Sequence, residues 1–343
     1  MNEIVAVTSV LVSDGVIVEG AGLVPLTGGV SSDVWRIAPE DQTERYQTVS
    51  PFGLVVKAPL AQLRVPTTWE ADVSRGRAEA QALQLFGGIT PGRVPQLLWQ
   101  DDELPAIAME AAPLDWEEWR TQLSTRLPSS PYVSRTRIEN VCSSLGQTLA
   151  QWHVRTQDIG ALPAVLSTGN RLRDLRTNPF HRASAAELPE VASILNELAD
   201  ELESQRICVV HGDFSPKNVL VAPPDSSALW VLDAEVAHVG NPALDVAFLS
   251  THLLLKAVWR PELSARLDAG RQAFESAYRA ASNLVSTRAW NRQTGAILAA
   301  RVCGVSRVDY LSESNRQWVV SRAIELLSER RDLDSVWGSL NPD

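Results

Sequence analysis

Apolar residues are distributed along this chain in two textures. Up to about Met109 they come in short runs rich in Val, Ile and Leu (GLVPL, DVWRIAP, GLVVKAP, VPQLLWQ, AIAME), set apart by Gly, Pro and Asp. Runs of that length between turn formers predict strands. One segment departs from this. Over 67–86 a Thr67/Glu70 capping box leads into apolar or small residues at Trp69, Val73, Gly76, Ala80 and Leu83, and Gly87 and Gly88 close it. That pattern predicts a single helix. From Leu114 onward the period is mainly helical, most clearly over 138–154, 185–204, 242–258, 261–282, 289–304 and 315–329. The expectation is an α+β, bilobal chain: a small β-rich N-terminal lobe with one helix over 1–109, a connector at 110–113, and a larger, mainly helical lobe over 114–343.

The helical part contains one β island. Val219-Leu220-Val221 and Trp230-Val231-Leu232 flank a turn-rich PPDSS segment. An antiparallel hairpin centred between Asp225 and Ser226 sets Asn218 opposite Asp233. The apolar run 207–210 leads straight into His211-Gly212-Asp213, so Asp213, Asn218 and Asp233 are expected to converge at one end of a short sheet. Asp213 and Asn218 form an H-x-D-x-x-x-x-N pattern in HGDFSPKNVLV, and Asp233 follows in VLDAE. Phosphoryl transfer from a nucleotide needs a carboxylate to orient and deprotonate the attacking hydroxyl, plus an amide and a carboxylate that hold magnesium against the phosphates. This spacing supplies all three. Glu235 is either a second metal contact or a solvated turn residue.

Composition narrows the field. With 343 residues, 45% hydrophobic and 21% charged, the chain buries a full core, which excludes a disordered chain or a disulfide miniprotein. The net charge of -10 argues against nucleic acid as a partner. Cys142, Cys208 and Cys303 lack CxxC spacing and read as reduced cytosolic thiols, while the first 20 residues lack a basic n-region and no run is long enough for a membrane span. A cytoplasmic, membrane-free location is expected. Of the 31 basic residues only Lys57, Lys217 and Lys256 are lysines, which makes each a position to inspect.

HGDFSPKNVLV followed by VLDAEVAHVGNPALDVAF resembles the aminoglycoside phosphotransferase and choline kinase family, small-molecule kinases with a protein-kinase-like fold. GGVSSDVWRI resembles that family's phosphate loop, LVVKAPL its lysine strand, RAEAQAL its helix glutamate, LAQWH the helix before the catalytic loop, and RVCGVSRVDYL a late segment of some bacterial members. The resemblance implies ATP and Mg2+ as cofactors. It implies Asp213 as base and Asn218 and Asp233 as metal ligands, with Lys57 paired to Glu79 on the α and β phosphates. Gly28, Gly29, Ser31 and Ser32 would approach phosphate, although a plain hairpin turn explains the glycines nearly as well. Adenine is expected against the connector, at Met109, Glu110 and Ala112. Lys217 either stabilises the transferred phosphoryl or is a surface lysine.

Other residues read as structural. Lys256 is a favourable charge at a helix C-terminus, and Asn241, Pro242 and Asp245 open a helix. His211 braces the loop, His153 is a packed helix histidine, and His181 lies in a solvated loop or a substrate lid. The few residues between Asp233 and Pro242 leave no room for a peptide-binding activation segment, so the acceptor is expected to be a small-molecule hydroxyl. Net acidity and the DWEEW segment suit a cationic one, and a neutral sugar stays open. A non-catalytic nucleotide-binding scaffold and a metal-dependent hydrolase using Asp213, Asp233 and Glu235 are the alternatives. Oligomeric state is not legible.

Overall fold

The computed structural model describes residues 3–26, 29–65, 68–101, 103–167 and 170–340. Five antiparallel strands, β1 (Leu23–Pro25), β2 (Ser32–Ile37), β3 (Leu54–Pro59), β4 (Leu97–Gln100) and β5 (Ile107–Glu110), form one sheet in the order β1-β2-β3-β5-β4. β3 lies at the centre, which is why its LVVKAP run is almost wholly buried. Lys57 faces Val34 on one side and Ile107 on the other. The expected helix covers one face of this sheet as Arg75–Ile89, burying Ala78, Glu79, Ala82, Leu83 and Phe86. It starts later than the capping box suggested; Thr67 lies outside the described residues.

Two further helices belong to this lobe, Glu3–Ser13 and the short Glu44–Val49. EIVAVTSVLVS is rich in residues that favour strands, but Val7 and Leu11, one turn apart, bury together with Trp35, Ile37 and Leu54 on the outer face of the sheet. Tertiary burial overrides the local preference.

The helical lobe follows the periodicity closely. Its longest α-helices among the described residues are Arg135–Arg155, Ala192–Ser204, Ala243–Trp259, Ser264–Ala281, Thr287–Cys303 and Glu313–Leu327. The expected 185–204 helix is broken at Leu188-Pro189, where proline opens a short 3-10 turn. Arg135–Arg155 packs on Ser264–Ala281 so closely that a Cβ at Gly146 would lie 2.5 Å from the Phe274 carbonyl oxygen. The NRLRDLRTNPFHR stretch is neither loop nor lid. Arg173–Arg182 forms a π-helix, and His181 is buried within it, bonded to Gln293 at 3.0 Å. Its buried apolar residues are Leu175, Pro179 and Phe180, too few to show against the seven polar or charged residues of the same segment.

Three short strand pairs carry the loops of interest. β6 (Glu117–Glu118) pairs with β8 (Val219–Val221), which pairs with β9 (Leu229–Val231), while β7 (Cys208–Val210) pairs with β10 (His238–Gly240). The lobes are joined by side chains as well as by the connector. Phe86 stacks on Trp152 with centroids 4.0 Å apart, and Trp152 donates its indole N–H to Thr90. The structure thus has a protein-kinase-like arrangement of a small sheet lobe and a larger helical one.

Candidate active site

The loop after β7 is built to hold Asp213. Gly212 has φ +79, and a Cβ there would meet Val236 at 2.8 Å, so only glycine fits this turn. Asp245, fully buried, accepts from the amides of His211 and Gly212 at 2.7 Å each and from His153 Nε2 at 3.2 Å. His153 in turn meets the Tyr278 hydroxyl. Asp245 is a site residue that the sequence reading took for a first-turn helix acid. Asn241 does cap that helix, accepting from the Ala243 amide. His211 braces the loop as expected: its Nδ1 accepts from the Asp213 amide, which assigns the proton to Nε2, donated to the Leu232 carbonyl. Burial holds this imidazole below its ordinary pKa and so neutral.

Asp213 is nearly enclosed, with Lys217 Nζ 2.8 Å and Arg176 Nη2 3.1 Å from its Oδ2. Burial alone would raise its pKa, but these two cations outweigh burial and hold the carboxyl below the usual range. Asn218 donates Nδ2 to the Asp213 carbonyl at 2.9 Å.

The hairpin register differs by one from the expectation. Val219 faces Val231 and Leu220 faces Trp230, so the turn centres on Asp225 and Leu232, not Asp233, meets Asn218, donating its amide to the Asn218 carbonyl at 2.8 Å. Asp233 still reaches the site, because its backbone is left-handed at φ +65 and swings it out of the strand. Its carboxylate meets Lys57 Nζ.

Lys57 Nζ also lies 2.9 Å from Glu79 Oε1 and 2.8 Å from Oε2. Burial pulls this ammonium down, yet the carboxylates of Asp233, Glu79 and Glu235 outweigh it and the net shift is upward. Burial pushes Glu79 up, with Lys57 opposing, to about 7. Glu235 is not a solvated turn residue. It is buried, accepts from Arg75 Nε at 3.2 Å and faces the Ser32 hydroxyl at 3.5 Å. Arg75, also fully buried, adds bonds to the carbonyls of Ala71, Asp72, Ser31 and Leu60. The Ser31-Ser32 segment, the residue after β3 and the Asp-Ala-Glu triplet are thereby tied to one guanidinium. The sequence contained a signal for it: Arg75 is one turn before Glu79, on the same face.

Ser31 and Ser32 stand at the start of β2, and Gly29 lies in the exposed turn between β1 and β2. Gly28 lies outside the described residues. In the connector, Met109 pairs with Val55, Glu110 turns its carboxylate to the Gln96 amide, and the Ala112 carbonyl accepts from Arg36.

A sheet lobe with a lysine–glutamate pair, set over a helical lobe with an Asp and Asn loop, defines a phosphotransferase of protein-kinase-like fold. The sequence model of the phosphotransferase enzyme family matches residues 22–284, and the chain belongs to that family. It is 26% identical over 242 residues to methylthioribose kinase of Pectobacterium atrosepticum, covering 63% of this chain and 57% of that one. It is 28% identical over 125 residues to acyl-CoA dehydrogenase family member 10 of Mus musculus, covering 35% of this chain and 12% of that protein. The chain thus spans at most about half the length of these curated relatives. Among solved structures, a microcompartment-associated aminopropanol kinase superposes with a TM-score of 0.54 at 15% identity, covering 98% of this chain and all of the other. An amicoumacin kinase in complex with AMP-PNP and Ca2+ gives 0.52 at 12%, with 97% of each chain covered. These likenesses are of fold.

Among the described residues no helix is long and apolar enough to cross a membrane.

Proposed function

We propose that this chain transfers the terminal phosphoryl group of ATP to a hydroxyl of a small molecule. The observation that carries this reading is the continuous set of charges from Glu79 through Lys57 to Asp233, opposite Asp213 with Asn218 bonded behind it. Lys57 is positioned for the α and β phosphates, held straight by Glu79. Asp213, ionised and fixed by the Gly212 turn, is the group that accepts the acceptor hydroxyl's proton. Lys217 is close enough to Asp213 to neutralise charge on the transferred group.

The residues present fit magnesium. Among the described residues no three His, Cys, Asp or Glu side chains cluster as a complete metal cage. Magnesium binds instead through one or two protein oxygens, completed by water and phosphate. Asn218 Oδ1 and Asp233 would hold it. When bound, the ion neutralises the phosphate oxygens as charge develops on them. Glu235 serves differently, since Arg75 and Ser32 occupy its carboxylate; it ties the metal-binding triplet to the phosphate-loop side. The pairing of Asp213, Asp233 and Glu235 with separate cations also disfavours the hydrolase alternative, which needs them free around a metal. The adenine would lie along the connector at Met109, Glu110 and Ala112, where the Ala112 amide bonds no described residue.

The test is incubation of the purified chain with MgATP and a panel of hydroxyl compounds, read by mass spectrometry. A gain of one phosphate on an acceptor, matched by ADP, is expected. ADP without a phosphorylated acceptor would support hydrolysis, and no ADP with tight nucleotide binding would support a scaffold.

A further inference from the structure

Beside Asp213 the helical lobe carries two cations, Lys256 buried and Arg301 half-buried, that no carboxylate pairs with. Phe248, His252 and Lys256 share one face of the Ala243–Trp259 helix, four residues apart. At the Asp213 end, Arg176 lies 5.4 Å over the Phe248 ring and 5.5 Å over Phe180. Arg301, from the neighbouring Thr287–Cys303 helix, lies 5.9 Å from that same Phe180, and its charge interacts with those of Asp213 and Arg176 and with Tyr310. At the far end Lys256 Nζ sits 4.0 Å from the Tyr310 ring and 4.5 Å from Trp259, donating to the Ser124 hydroxyl.

Three residues along this strip carry a charge or a hydrogen-bonding atom that no described residue satisfies. Lys256 is 4% exposed and in no ion pair; Asp309 and Glu118 influence it only at longer range. Arg301 spends one nitrogen on Ser306, while its buried Nε bonds nothing. The buried Tyr310 hydroxyl bonds nothing either. His252, between Phe248 and Lys256 on the helix, stacks on Phe248 and feels the charges of Arg301, Asp213, Lys217 and Lys256. Buried polar groups are nearly always satisfied, and a buried cation without a counter-charge is costly. Several together, in one line from the proposed base, mark a place where a ligand supplies the missing charge.

Building on the kinase reading, we propose that this strip is the acceptor subsite, and that the acceptor is a small hydroxyl compound carrying a carboxylate or a phosphate at its non-reacting end. The anion would be held by Arg301 and Lys256, with Tyr310 and His252 as hydrogen-bonding partners. Arg301 presents a planar fork suited to either anion, and Lys256 a point charge. Two of the three acids of the DWEEW segment are already paired: Glu117 with Arg126 at 2.9 Å and Glu118 with Arg120.

The experiment is calorimetric titration of the full chain, with MgCl2 and AMP-PNP present, using glycerol 3-phosphate and 3-hydroxybutyrate against the uncharged glycerol and 1,3-butanediol. At least one anion is expected to bind about tenfold or more tightly than its uncharged counterpart, and which of the two does so separates phosphate from carboxylate recognition. Arg301→Gln and Lys256→Met should each weaken that anion about tenfold, with Arg301→Lys and Tyr310→Phe weakening it less. AMP-PNP affinity and melting temperature, measured on the same samples, should stay close to the parent's. Anions that bind no better than the diols, or equally well to folded Arg301→Gln and Lys256→Met, overturn the assignment while AMP-PNP binding leaves the kinase reading standing. Failure of AMP-PNP to bind strikes the kinase reading, and the acceptor role of the strip with it.

Discussion

Two sets of buried charge lie on either side of Asp213, and the protein treats them in opposite ways. On the sheet side every ion has its counter-ion: Lys57 with Glu79 and Asp233, Arg75 with Glu235. On the helical side Lys256 lies between the Trp259 and Tyr310 rings, half-buried Arg301 lies near Phe180, and neither has a carboxylate partner. A paired buried ion holds geometry, because removing one partner strands the other. An unpaired one lowers stability and is retained only where something else meets its charge. On the reading proposed above, the difference separates a framework that would position a nucleotide from a surface that would receive an acceptor.

The sharpest way to break this comparison is at the residue between the two sets. Asp213→Ala is expected to lower turnover by about 10^3-fold or more while nucleotide affinity changes little, because the lost group acts on the acceptor proton and not on the phosphates. Single-turnover phosphoryl transfer beside an AMP-PNP titration would decide it. Unchanged turnover removes Asp213 as base.

The next effect concerns the framework alone. Arg75→Met strands Glu235 in the interior and releases the carbonyls of Ser31 and Leu60, so unfolding free energy should fall by about 3–5 kcal/mol. Urea unfolding at neutral pH measures this. A change under about 1 kcal/mol would mean that Arg75 is not the clasp its bonds describe.

Much of the framework was legible because the chemistry is written in short, local spacings. Lys57 stands alone among arginines in an apolar strand, and Asp213, Asn218 and Asp233 are close in the chain. What escaped reading depended on distant packing. The hairpin register slipped by one because a turn centred on Asp225 and one centred beside it have equal sequence signals, and only the left-handed Asp233 shows how the loop is recovered. Asp245 passed for a helix-opening acid, since its partners His211 and Gly212 lie more than thirty residues earlier. Lys256 read as a helix-end charge, and it is one. Its aromatic surroundings come from Trp259 nearby and Tyr310 far along the chain.

A smaller effect comes from acid. Burial lowers both His181 and His238 to about 4, against an ordinary value of 6.5. Between those values the unfolded chain binds protons that the folded one refuses, so stability is full above about 6.5 and is lost as pH falls toward 4. Burial raises Glu79 to about 7, which acts in the other sense over roughly the same window. Thermal melting from pH 7.5 to 4.5 should show a falling Tm that His181→Gln partly relieves; a flat profile in the parent would contradict the histidine assignment.

The last test sets the two buried lysines directly against each other. Lys57→Met leaves Glu79 and Asp233 facing one another without a cation, and should cost about 3 kcal/mol or more. Lys256→Met strands no carboxylate and fills the same aromatic cage with an apolar chain of similar length, so stability should be unchanged or rise by up to about 1 kcal/mol. The two should also differ in alkaline solution. Burial lowers Lys256 to about 8 from 10.5, so between those values the unfolded chain holds more protons and this group makes the parent more stable as pH rises. Lys57 is shifted upward instead, so the stability it contributes is present below about 10.5 and is lost only above that value. Chemical unfolding of parent and Lys256→Met at pH 7.5 and 9.5 should show a gain with pH in the parent that is smaller in the variant. Equal losses for Lys57→Met and Lys256→Met would show that both cations are framework, and the contrast across Asp213 would fail.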